Sequence, residues 1–92
     1  MRVTGVGVPD SVVRKLARRG IHEWEPVEVA FDRPRFLGNK KNRTATHQMI
    51  GSTKAGRLLT MLIKESGEPG DWYVVTGRRS TEVERSRYEG RT

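Results

Sequence analysis

Two adjacent arginines, Arg78 and Arg79, follow the apolar pair Val74-Val75 and precede Thr81-Glu82-Val83-Glu84, which has the spacing of a helix capping box. A guanidinium group pairs through two parallel hydrogen bonds with phosphate oxygens, and the free N–H groups of a helix start favour an anion beside them. Glu82, Arg85 and Tyr88 then recur at three-residue spacing on neighbouring positions of the expected helix. Metal-free cleavage of an RNA phosphodiester needs a base near the 2′-hydroxyl, a donor for the departing 5′-oxygen and cations for the charge that builds on phosphorus. Arg78, Arg79, Glu82, Arg85 and Tyr88, together with the imidazole of His47, are the candidate catalytic residues. Lys40, Lys41, Arg43 and Arg57 are the candidate footprint for the phosphate backbone.

Each also has a plainer reading. Glu82 and Arg85 can form a surface ion pair worth only ~0.2–0.5 kcal/mol, with Tyr88 simply covering the core. His47, a candidate because imidazole is a common proton-transfer group, can instead be an exposed strand residue, and His22 reads as a cap or surface position. The cations from Lys40 to Arg43 fit a solvated loop as well as a footprint. Trp24, Trp72 and Tyr73 could stack on bases, but Trp72 and Tyr73 alternate along a strand, so only one faces the core.

The 92-residue length allows one domain and one core, and a domain this small buries only roughly 60% of its unfolded surface. The composition, 34% hydrophobic and 32% charged, lies on the polar side of the folded range, so a bound partner is expected to add stability. With no cysteine there is no disulfide or thiolate site, and two histidines without matching carboxylates suggest neither metal nor cofactor. Eighteen Lys and Arg against eleven Asp and Glu give a net charge of +7, which draws polyanions and makes nucleic acid the leading partner. Met1 to Val8 lacks the apolar segment of a signal peptide, and no apolar run approaches the roughly 20 residues that cross a bilayer. The expectation is a cytoplasmic protein without membrane contact.

The elements that would position these side chains follow from local pattern. Val3 to Val8 reads as a strand, and Asp10 to Arg19 as a basic amphipathic helix stopped by Gly20. A second helix starts near His22-Glu23, turns Trp24, Val27 and Phe31 inward, and ends at Asp32-Arg33-Pro34. Arg35 to Leu37 is a brief strand before an exposed loop. Thr44 to Ile50 and Arg57 to Lys64, the latter with a buried core from Leu58 to Ile63, form a hairpin about Ser52 to Gly56, and Asp71 to Thr76 is a central strand closing at Gly77. A last helix, capped by Thr81 or Ser80, stops at Gly90. The expected class is α+β, with an antiparallel sheet of three to four strands, N-terminal helices and a C-terminal helix.

Ile50-Gly51-Ser52-Thr53, Gly56-Arg57-Leu58-Leu59-Thr60 and the run from Val74 to Glu89 resemble the BrnT family, whose members carry "IGRT-x-x-GRLL" and "IRIISAR-x-A-[ST]-x-x-ER-x-x-YE". Leu16 to Phe31 matches more weakly, with Arg19-Gly20-Ile21 standing where the family has His-Gly-Val. The family's opening aromatic-x-Trp-Asp strand is absent from Met1 to Asp10. The resemblance implies a RelE-like fold, a ribonuclease toxin that halts translation, and a cognate antitoxin that wraps it, in a higher-order complex. The match falls on Arg78 and Arg79, which strengthens that pair. The competing readings are a basic nucleic-acid-binding module without turnover and a protein-interaction domain. The sequence has no helix-turn-helix or RNA-binding aromatic signature, which disfavours a dedicated binder.

Overall fold

The computed structural model describes residues 3–39 and 44–90. In chain order these form β1 (Gly5–Gly7), α1 (Asp10–Ala17), α2 (Glu25–Ala30), β2 (Arg35–Gly38), β3 (His47–Ser52), β4 (Leu58–Glu65), β5 (Asp71–Arg79) and α3 (Glu82–Glu89). The fold is α+β, with a five-stranded sheet in the order β1-β5-β4-β3-β2.

The helix α1 forms where Val12 and Leu16, four residues apart, meet the core. Gly20 ends the segment at φ +73°; its N–H reaches the Ala17 carbonyl, and the Ile21 N–H returns to that of Leu16, both at 3.0 Å. This Schellman closure also brings Ile21 into the core beside Leu16.

The sheet is larger than its local signals suggest, and it is mixed. The expected hairpins β3–β4 and β4–β5 are antiparallel, and β2 adds an antiparallel edge beside β3. β1, however, pairs in parallel with β5, placing Val6 opposite Trp72. No turn joins these strands, so nothing local marks the pairing. It is anchored where the Thr4 N–H, Gly5 N–H and Thr4 hydroxyl all donate to the Gly70 carbonyl, at 2.7, 3.2 and 3.0 Å.

A second departure is in α2. Trp24, Val27 and Phe31 do form one apolar stripe, but it faces solvent, with Phe31 67% exposed. The helix instead buries Pro26 and Val29, because Val29 packs over Gly51 of β3, where a Cβ would lie only 3.0 Å from the Val29 side chain. The missing side chain on β3 selects which face of α2 lies down.

Nor does β5 close at Gly77; it continues to Arg79. Gly77 is the point where α1 presses on the sheet: a Cβ there would stand 2.5 Å from Met61 Sδ and 3.1 Å from Leu16 Cδ2. Both neighbours are fully buried. Gly77→Ala is therefore expected to lower stability by about 1–3 kcal/mol through overpacking. Urea unfolding tests this, and an unchanged midpoint would mean that Met61 vacates the space.

Candidate phosphate-binding site at the end of β5

The register shift that controls this end of β5 lies four residues upstream. Leu62 pairs with Thr76 but Ile63 pairs with Val74, leaving Val75 as the extra residue of a bulge. Trp72 and Val74 thereby share the face covered by α1 and α2 with Gly77 and Arg79. Tyr73, Thr76 and Arg78 take the opposite face, in line with Thr60 and Ile50. The two arginines thus leave β5 on opposite sides.

The junction after them is held on both sides. The Ser80 N–H donates to the Leu58 carbonyl at 3.1 Å, and its hydroxyl bonds that of Thr60 at 2.9 Å. Thr81, not Ser80, caps α3: its hydroxyl accepts the Glu84 N–H, and the Glu84 carboxylate accepts the Thr81 N–H at 2.8 Å.

Arg78 is tied to this cap. Its guanidinium donates to the buried Glu84 carboxylate, which joins α3 to the sheet. Burial alone pushes the Glu84 carboxyl up. Hydrogen bonds from the Thr81 N–H and Arg78, the charge of Arg78 and a hydrogen bond from Thr60 outweigh it, so the group lies below its ordinary value.

Arg79 points elsewhere. With Arg57, Arg85, Ser80 and Gly56 it lines a cavity of about 260 Å³. Arg57 is aimed there from the start of β4 by buried Glu25, whose two carboxylate oxygens each accept from Arg57 Nη1 at 3.1 Å. Arg57 Nε is buried with no hydrogen-bond partner among the described residues. Arg85 stands 3.7 Å from Glu89 in a largely exposed pair that water screens. Arg79 has no ion pair among the described residues. Three guanidinium groups against two carboxylates, buried Glu25 and exposed Glu89, leave the cavity net positive, a setting for a phosphate.

The structure thus brings Arg57, Arg79 and Arg85 together and sets Arg78 behind them. It does not bring in His47, which packs edge-on against Trp72 at 5.1 Å on the core face, with Nδ1 3.0 Å from the Thr46 hydroxyl. Glu82 and Tyr88 line neither this cavity nor the larger one beneath α3. Lys40, Lys41 and Arg43 lie outside the described residues. Among those described, no three His, Asp or Glu side chains converge as a metal would require, and no helix is long and apolar enough to cross a membrane. The sequence marks Glu84 only as a cap and gives Glu25 no role of its own. Burial turns both into holders of arginines, and spacing carries no sign of that.

No protein-family model matches this chain, and no curated protein matches it.

Proposed function

We propose that this chain is a metal-independent endoribonuclease of the BrnT, RelE-like toxin type, which inhibits translation in the cytoplasm by cleaving RNA and is neutralised by a cognate antitoxin. The observation that carries this reading is the cavity shared by Arg57, Arg79 and Arg85 beside a pinned strand–helix junction. All three arginines fall within the segments that resemble the family. The cavity is fitted to hold a phosphodiester and to stabilise charge developing on its oxygens, which is usually the largest single contribution to such catalysis. Held on a strand end and a capped helix, the guanidinium groups need little reorganisation.

Purified protein with EDTA present should cleave RNA, and induced expression should arrest growth and lower protein synthesis. RNA affinity should fall by a factor of roughly 10³ or more between 50 and 200 mM salt if six or more phosphates are contacted. Intact RNA and normal growth at high expression would overturn the enzyme, and a flat salt response would overturn the polyanion site.

A second reading, a protein-interaction module without turnover, draws on the exposed stripe of Trp24, Val27 and Phe31. It is separated from the first by RNA that binds weakly and stays uncut.

A further inference from the structure

A larger cavity of about 510 Å³ lies on the other side of β5, under α3, lined by Asn39, Gln48, Arg78, Val83, Glu84 and Arg87 among others. Its size falls within the roughly 300–1,000 Å³ of small-molecule sites. Its charge is simple: Arg78 and Glu84 neutralise each other, while Arg87 is exposed and outside any ion pair among the described residues. The Glu84 carboxylate is already engaged by Thr81, Arg78 and Thr60. Gln48 Oε1 is different, being buried with no hydrogen-bond partner among the described residues. The terminal torsion of a glutamine is soft, so a modest turn of the amide brings this acceptor to the cavity. A carboxamide offers an acceptor and a donor side by side, the pattern that matches the amino group and adjacent ring nitrogen of adenine or cytosine.

We propose that this cavity takes an amino-bearing nucleobase, with Gln48 reading its amino edge and Arg87 drawing the attached phosphate. Resting on the RNA reading, the inference names a base subsite for the same strand: Arg78 and Arg79 are consecutive, so the base cavity and the arginine cavity flank one strand end. Val83, exposed on α3, supplies an apolar contact for the face of the base.

The test uses nucleosides, which carry no phosphate, titrated into the isotope-labelled full chain and followed by nuclear magnetic resonance. Adenosine and cytidine are expected to shift the Gln48 side-chain amide and the α3 backbone amides. N6,N6-dimethyladenosine, which keeps the ring but lacks the amino hydrogens, should bind at least about tenfold more weakly, as should adenosine to Gln48→Leu. Arg79→Ala should leave nucleoside binding unchanged. RNA binding without any nucleoside-induced shift at Gln48 would overturn the base subsite and leave the function standing. Equal binding of adenosine and its dimethyl form would also overturn it. Nucleoside binding at Gln48 by a chain that does not bind RNA would support the subsite and defeat the RNA reading.

Discussion

Replacing Arg79 with alanine is expected to abolish growth arrest and to weaken RNA binding by about 10- to 100-fold, the range for losing one charge-assisted hydrogen-bonding group. If the guanidinium also stabilises the transition state, single-turnover cleavage should fall by roughly 10²–10³. Because Arg79 is exposed and has no ion pair among the described residues, stability should change by less than ~0.5 kcal/mol. That separation makes Arg79 the cleanest probe of the site. Arg57→Ala would strand the buried Glu25 carboxylate, and Arg78→Ala would strand that of Glu84, so both mix function with folding. Arg14→Ala, on the exposed side of α1, is the control and should leave growth arrest and affinity essentially unchanged. The experiment compares growth arrest, RNA affinity and the melting curve of the three arginine variants and the control. A folded, fully toxic Arg79→Ala protein would sink the site assignment.

Glu84→Ala should have the largest effect on stability of any polar substitution described here, about 2–3 kcal/mol. It removes one half of the capping box and leaves the Thr81 N–H and the Arg78 guanidinium short of an acceptor. Breaking a fully buried ion pair costs roughly 3–5 kcal/mol. The smaller figure applies because the Arg78 side chain stays 36% exposed and is partly resolvated. Glu84→Gln, which keeps an acceptor for the Thr81 N–H, should lose less. The depressed carboxyl value adds a pH signature. Its stabilisation is complete above the unfolded value of about 4.5 and is lost as pH falls through the lower folded value. The stability gap between the parent protein and Glu84→Gln should therefore be widest near neutrality and close in acid. Urea unfolding followed from about pH 7 downward through the ordinary carboxylate range measures it. A gap independent of pH would mean that the charge of Glu84 contributes nothing.

Features set by short-range physics are legible in the linear chain. Proline followed by aspartate starts α1 and glycine stops it; Thr81 and Glu84 cap α3 reciprocally; Gly56, at φ +86°, closes the β3–β4 turn. Each depends on contacts within a few residues, so residue type and spacing suffice. Arg57, Arg79 and Arg85 could likewise be named as cations worth testing. Which of them meet is a property of the folded chain. The bulge at Val75 shifts the alternation of β5, and with it the side on which Arg79 emerges. Gly51 chooses the face of α2 that lies on the sheet, leaving Trp24, Val27 and Phe31 in solvent. The parallel pairing of β1 joins segments from opposite ends of the chain. The partners Glu25 for Arg57 and Glu84 for Arg78 come from separate elements, while His47 is turned to the core beside Trp72. These outcomes depend on close packing and on burial of charge across the fold, and neither leaves a period or a motif in the linear chain.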